Sequence, residues 1–177
     1  MKKYNHFKFV PVLCLLLSPV FVSAQIGGDG VYRFLNMPVS ARAAAMGGNF
    51  LAIKDGDITQ ALFNPSLISE EMNNHLAMSF VDYFSDINYG YASYANSFGK
   101  IGTYAATMQY LNYGQFVYAD ENGETYGAFT ANDLALNLGW GRQLDSLFSL
   151  GANMKFIYSG LEDYKSYGIA VDVAGTY

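Results

Sequence analysis

The sequence predicts an all-β chain: the N-terminal part of a transmembrane antiparallel β-barrel, carrying a short helical N-terminal plug segment. Three observations predict it. From about residue 75 onward, apolar and polar residues alternate in six stretches separated by turn residues, the pattern of strands with two unlike faces. Those stretches run near the ~9–11 residues that a tilted membrane-crossing strand needs, longer than the ~5–6 typical of soluble sheets. Their apolar face is bulky and often ends in an aromatic, whereas the opposite face is small, glycine-rich or polar. A soluble β-sandwich, the competing architecture, needs large side chains on its inner faces and more Lys, Arg and Glu outside. In a barrel, lipid accepts the bulky face and a wet lumen accepts the polar one. Aromatic residues, 16% of the chain, suit the girdles at the two membrane interfaces.

Residues 1–24 read as a secretory signal peptide. Lys2, Lys3 and Lys8 form a basic region, Phe9 to Phe21 an apolar one, and Val22-Ser23-Ala24 supplies the small residues before a cleavage between Ala24 and Gln25. The apolar run is shorter than the ~20 residues of a spanning helix and contains Pro11 and Pro19. Cys14 sits in mid-run without the small residues that precede a lipidated cysteine. From Gln25 onward the chain has no cysteine, and disulfides cannot hold it together. Removing the three leader lysines leaves 7 basic against 15 acidic residues, a net charge of −8 where the whole chain has −5. That disfavours nucleic acid as a partner, since phosphate binding needs clustered Lys and Arg. No later window reaches the ~18 apolar residues of a helical span. The expected location is the outer membrane of a Gram-negative cell.

Residues 25–74 form the expected plug. Gly27, Gly28 and Gly30 give a flexible start, followed by the apolar segment Val31-Tyr32-Arg33-Phe34-Leu35. Ser40 is placed to cap a short helix that includes Arg42, runs through Ala45, and stops at Gly47-Gly48. Asn49 to Ile53 is an extended candidate. Asp55 or Asp57 is placed to cap a second helix through Phe63, and Pro65 forces Asn64 out of the helical region. The small residues suit a segment packed inside a lumen, with Asn64-Pro65 as the corner leading to the first strand.

Residues 75–177 supply the first six or so transmembrane strands of an incomplete barrel. The strand at 76–84 puts Leu76, Met78 and Phe80 on one face, and the next, 87–98, is dense in tyrosine at 89, 91 and 94. Around 101–112, Tyr104, Ala106, Met108 and Tyr110 alternate with Thr103, Ala105, Thr107 and Gln109. The stretch 131–142 is the clearest, with Leu134, Leu136, Leu138 and Trp140 toward lipid and Asp133 and Asn137 toward the lumen. In 148–158, Met154 and Phe156 face lipid while Asn153 and Lys155 face the lumen. In 167–177, Ile169 and Val171 face lipid and Asp172 the lumen. The turns at Gly99-Lys100 and at 143–146 are short, whereas Tyr113 to Thr130 and Ser159 to Ser166 read as external loops, the expected asymmetry. Because closure removes the unpaired edges that lipid forbids, six strands require oligomerisation, further strands, or a longer protein of which this is the N-terminal part; the last is the preferred reading.

Catalytic constellations are nearly absent, and no enzyme activity, cofactor or metal is expected. His75 is the one histidine after the leader, too little for a His/Cys metal site. Ser97-Phe98-Gly99-Lys100 matches S-x-x-K, but on a turn and without the S-D-N or K-T-G that the chemistry requires. Asp120, Glu121 and Glu124 lack EF-hand spacing. Gly28-Asp29-Gly30 lacks the third glycine and preceding strand of a dinucleotide loop.

The segment GVYRFLNMPVSARAAAMGGNFLAIKDGDITQALFNPSLIS resembles the N-terminus of the PorV/PorQ-type outer-membrane proteins of type IX secretion, closest to the PorQ branch. These fall within the wider FadL-like barrel group. The resemblance rests on Gly30 to Leu35, Pro38, Ser40-Ala41-Arg42, Met46-Gly47-Gly48, the Asp55/Asp57 pair and Asn64-Pro65-Ser66. It implies a barrel for which this chain supplies the first part. It also implies a non-enzymatic role in anchoring the surface attachment complex, with a PorZ-like surface protein and a sortase-like PorU-type protein as partners beside the outer-membrane lipid. No catalytic residue carries over. The alternative is a FadL-like channel for long-chain fatty acids or other hydrophobic molecules, which calls for an apolar groove and a lateral opening.

Overall fold

The computed structural model describes residues 31–48, 51–145 and 147–177; the expected leader and its Ala24–Gln25 cleavage site lie outside them. The alternating stretches form six strands: β1 (Leu76–Asp82), β2 (Asn88–Ser97), β3 (Thr103–Ala119), β4 (Thr125–Gln143), β5 (Ser149–Leu161) and β6 (Tyr164–Thr176). They pair antiparallel in chain order in one sheet, with β1 and β6 at its edges. The chain is all-β.

Register is set by which face each residue must show, because a slip of one residue would turn every side chain over. Ala95, Ala105, Gly139, Asn153 and Asp172 lie side by side across β2 to β6 on one face. One residue along, Asn96, Tyr104, Trp140, Ala152 and Val173 line up on the other. Between β1 and β2, Ser85 and Asp86 both take positive φ, which lets twisted antiparallel strands rejoin through a short turn.

Two loops expected from composition are strands instead. Tyr113 to Thr130 continues β3 and β4 past their neighbours as a hairpin arm. The pairing shifts between Asn112 and Gln115 and resumes at Gln115↔Thr130 and Phe116↔Phe129. Gly114, at φ 76°, carries the shift and is where the chain passes close to Asp86. Cross-strand stacking holds the arm, with ring centroids 5.1 Å apart for Phe116–Phe129 and 5.6 Å for Tyr118–Tyr126. At its tip the Asp120 carboxylate accepts the Asn122 and Glu124 amides, so the acidic cluster is organised as a turn. The hydrogen bond from the Glu124 amide holds the Asp120 carboxyl below its usual range. Ser159 to Ser166 likewise narrows to a turn at Glu162-Asp163, where the Glu162 amide donates to the Thr130 carbonyl.

Ahead of the sheet, the chain makes a 3-10 turn at Arg33–Asn36, the helix α1 (Ala41–Ala45), and 3-10 turns at Ile58–Leu62, Pro65–Leu67 and Glu70–Met72. Ser40 caps α1 by accepting the Ala43 amide at 3.1 Å. Gly47, at φ 89°, ends it as the Gly48 amide bonds back to the Ala43 carbonyl. Asp57 starts the second turn by accepting the Thr59 amide and hydroxyl; a tighter 3-10 turn stands where a helix was expected. The extended piece expected at 49–53 is no strand over Leu51–Ile53, and Asn49 and Phe50 lie outside the described residues.

The core lies between this segment and one face of the sheet. Phe34, Val39 and Leu62 pack with Tyr89, Tyr91, Leu111, Ala135 and Ile157. Ile58, Ala61, Ile68 and Met72 pack with Ala95 and Ala105. Tyr89 and Tyr91 therefore point inward, away from any interfacial girdle, because Phe34 and Leu62 give their rings apolar cover.

Candidate functional site

The residues singled out by sequence fall into three places: a polar cluster in the N-terminal segment, the covered face of the sheet, and the exposed face.

In the segment, Arg42 projects from α1 to both acids of the pair. Its guanidinium donates to Asp57 at 3.0 Å and to Asp55. Asp55 also accepts the Asp57 amide at 3.2 Å and the Gln60 side-chain amide at 2.8 Å. The hydrogen bond from Arg42 holds the Asp55 carboxyl below its usual range, and Asp55 in turn raises the Arg42 guanidinium. One arginine and two carboxylates thus tie α1 to the 58–62 turn. The arrangement is a clasp, with the acids occupied by the arginine and by backbone amides.

Asn64-Pro65-Ser66 forms a second knot. The Asn64 side chain caps the 65–67 turn by accepting the Ser66 amide at 3.1 Å and hydroxyl at 2.6 Å, and donates to the Leu51 carbonyl at 2.6 Å. Ser66 shares a 2.5 Å hydrogen bond with Thr176 at the end of β6. Asn64 is extended, at φ −135°, as the following proline requires. One more 3-10 turn, Glu70–Met72, separates this knot from β1, and the knot packs against β4, β5 and β6 and does not lead straight into the first strand.

Glycines on the sheet make room for that knot. A Cβ on Gly141 would lie 2.5 Å from the Ile68 carbonyl oxygen and 2.7 Å from that of Pro65, and one on Gly151 would overlap the Pro65 backbone. A Cβ on Gly139 would lie 2.7 Å from Ile68 Cδ1. The close approach at Pro65 and Ile68 comes from these strand glycines: of the alanine run Ala41, Ala44 and Ala45 are exposed and Ala43 is buried, and the segment also buries Ala61, Leu62, Leu67, Ile68 and Met72.

The covered face carries Asp133, Asn137, Asn153 and Asp172. Asp133 accepts the Tyr113 hydroxyl at 2.7 Å. Asn153 donates to the Ala61 and Leu62 carbonyls at 3.0 and 3.2 Å, fastening the segment to β5. Lys155 and Asp172 are ion-paired at 2.6 Å. Asn137 sits between Thr107 and Lys155, 1% exposed, and neither end of its amide has a protein partner. Gln60, Tyr113 and Thr176 belong to these contacts and were not singled out by sequence; only their proximity in the fold marks them.

The exposed face is apolar. Met78 is 76% exposed and Val171 66%, and Leu136, Leu138, Met154, Phe156 and Ile169 are exposed as well, with Leu134 and Trp140 partly so. His75 is exposed at the start of β1, and Lys100 lies exposed in the 3-10 turn Gly99–Ile101, which gives the S-x-x-K stretch no helix. Among the described residues, no helix is long and apolar enough to cross a membrane, a statement that does not bear on strands. No protein-family model matches the chain, and no curated protein matches it.

Proposed function

We propose that this chain forms part of a non-enzymatic outer-membrane β-barrel of type IX protein secretion, a scaffold that helps anchor the surface attachment complex. The observation that carries the membrane part is the inversion of the sheet. Its apolar side chains are exposed on all six strands, whereas Ser93, Thr107, Gln109, Asn137 and Asn153 are buried on the other face. In water that arrangement exposes much more apolar surface than the few hundred Å2 usual for a soluble monomer. In lipid it is the stable one, because β-barrels turn apolar residues outward and polar ones toward the lumen. The secretion part rests on the resemblance of residues 30–69 to PorV/PorQ-type proteins. The covered face, lined by Asp133, Asn137, Asn153 and the Lys155–Asp172 pair, favours a scaffold over a FadL-like channel for hydrophobic molecules.

The test is made on the full-length protein in its own cell. It should sediment with the outer membrane and co-purify with a PorZ-like surface protein and a sortase-like PorU-type protein. Recovery in the soluble periplasmic fraction would overturn the barrel. Unchanged secretion with lost fatty-acid uptake on deletion would replace the scaffold with the channel.

A further inference from the structure

The glycines of the sheet are accounted for by what fills their space, with one exception. On the covered face, Gly139, Gly141 and Gly151 are filled by Pro65 and Ile68, and Gly168 by the Tyr32 ring. Gly90 is different. A Cβ there would meet nothing nearer than the Tyr110 carbonyl at 4.0 Å, and its φ is not in the positive region where glycine is favoured. Neither backbone nor packing within the chain calls for a glycine at this position.

Gly90 lies on the exposed face of β2, and its absent side chain opens a groove of about 720 Å3. The register builds the groove in rows. Phe80, Gly90 and Tyr110 form one, and Met78, Ala92 and Met108 the next. Small residues are the floor, and a methionine and an aromatic stand on each side. Asn88 and Asn112 sit at one end, and Tyr94 projects from the same face two residues beyond Ala92. A shallower depression of about 210 Å3 shares Ala92 and Met108 and continues toward Ala106 and Leu136. The groove spans two inter-strand spacings, about 9–10 Å between backbones, and from Asn88 to Ala92 it runs about 14 Å at ~3.4 Å per residue.

We propose that this groove seats one acyl chain of a bilayer lipid, lying along β2 from the Asn88 and Asn112 amides toward Tyr94. The inference rests on the membrane reading above. The commitment to a lipid chain has three grounds. The groove is continuous with the exposed apolar band, so bilayer lipid meets it without competition from water. Its lining residues carry no charge, with the exposed Asp82 standing beside Asn88 and Asn112 in the row at the headgroup end, and flexible methionines adapt to an irregular chain. Its width, less the side chains on either wall, suits a single hydrocarbon chain better than a helix about 10–12 Å across. At one end the Asn112 side-chain amide can donate to an ester carbonyl at headgroup depth: its carbonyl oxygen is already engaged by the Gly114 amide at 2.7 Å, which leaves its NH2 group on the donor side, whereas one N–H of the Asn88 amide is already given to the Asp86 carbonyl at 3.0 Å.

The experiment is native mass spectrometry of the full chain released from membranes in mild detergent. It compares wild type with the graded series Gly90→Ala, Gly90→Leu and Gly90→Phe, and with Val171→Phe as a variant on the same exposed face away from the groove. Retention of tightly bound lipid should fall as the residue at 90 grows, by about tenfold for Gly90→Phe, and stay at the wild-type level in Val171→Phe. The Gly90→Ala and Gly90→Leu steps keep the result readable if the largest side chain impairs folding. Equal retention across the series overturns the proposal, as does a dimer mass that Gly90→Phe abolishes, which would make a second copy the occupant. A wild-type protein that needs no detergent overturns the membrane reading itself; a detergent-dependent protein with no lipid sensitive to residue 90 overturns the groove alone.

Discussion

Gly151→Ala and Gly90→Ala make the same chemical change on opposite faces of one sheet, and the structure gives them opposite signs. An alanine in a strand gains roughly 0.5–1 kcal/mol over glycine from the unfolded chain's lost freedom. At position 90 that gain stands, since the new Cβ meets only the Tyr110 carbonyl at 4.0 Å. At position 151 the Cβ overlaps the Pro65 backbone, which cannot rotate aside as a flexible side chain can. Overpacking of this kind costs ~1–3 kcal/mol, so the net loss is about 1–2 kcal/mol. It should not eject the segment. Leu62, Leu67, Ile68 and Met72 are buried, and each contributes ~1.5–3 kcal/mol on full burial. The loss should therefore appear as loosening: hydrogen-exchange protection over residues 58–69 falls about 5–30-fold in Gly151→Ala, and is unchanged or slightly raised in Gly90→Ala. Equal changes in the two variants, or increased protection in Gly151→Ala, would refute the packing of Pro65 against β5.

Asn153→Leu should lower the thermal midpoint markedly, because it strips the Ala61 and Leu62 carbonyls of their donor at ~1–3 kcal/mol for each buried group left unpaired. Leu138→Lys and Val171→Lys should impair refolding into lipid by ~2–4 kcal/mol if they sit near the bilayer midplane; in a soluble sheet the same exposed sites would change stability by about 0.5 kcal/mol or less, and that result would count against the membrane reading. The clasp is pH-sensitive in a defined direction. The Asp55 carboxyl is depressed in the folded chain, so its contribution is complete above the unfolded value of about 3.9 and is lost as pH falls through the lower folded value. Limited proteolysis of the 46–57 stretch should stay constant from pH 7 to about pH 4 and accelerate below it, and Asp55→Asn should remove that dependence.

The strand centres and their two faces were legible because the period of two survives wherever a small or polar row must meet the segment and an apolar row must not. Leu134 to Trp140 against Asp133 to Gly141 shows the pattern at its plainest. The reading broke where that pressure lapses. Beyond Tyr113 most residues of the β3–β4 arm are exposed, its register shifts at Gly114, and Gly123 and Gly127 together with Asp120 and Asn122 resemble loop composition. Stacking between Phe116 and Phe129 across the arm involves residues far apart in the chain and leaves no local signal. The faces of Tyr89 and Tyr91 could not be read locally for a related reason: Phe34 and Leu62, far away in the chain, supply the apolar patch that holds them inside. Arg42, Asp55 and Asp57 were each visible as unusual residues. Their union was not, since the contact spans 13 and 15 residues of irregular chain. Ser40 and Asp57 were readable because capping is decided within three residues.

The segment that holds these contacts also reaches most of the way across the sheet. Tyr32 shares a hydrogen bond with Ser166 on β6, and its ring fills the space over Gly168. Ser66 ties to Thr176 at the other end of the same strand, and Asn153 on β5 holds the 58–62 turn. At the far side, Asn73 accepts the Ser97 amide at 2.9 Å, and Asn74 accepts the Asn96 side-chain amide at 2.9 Å, both on β2. Strands four places apart in the sheet are thus spaced by one stretch of chain lying on their polar face. Hairpins β1–β2 through β5–β6 close locally and can form early, whereas these bridges link residues separated by up to 134 positions and must overcome more chain entropy first. Docking of the segment is then expected to follow hairpin formation. The glycines at 139, 141 and 151 are what allow it: bulky side chains there would keep Pro65 and Ile68 from seating, and β6 would lose its tie to the segment at Ser66.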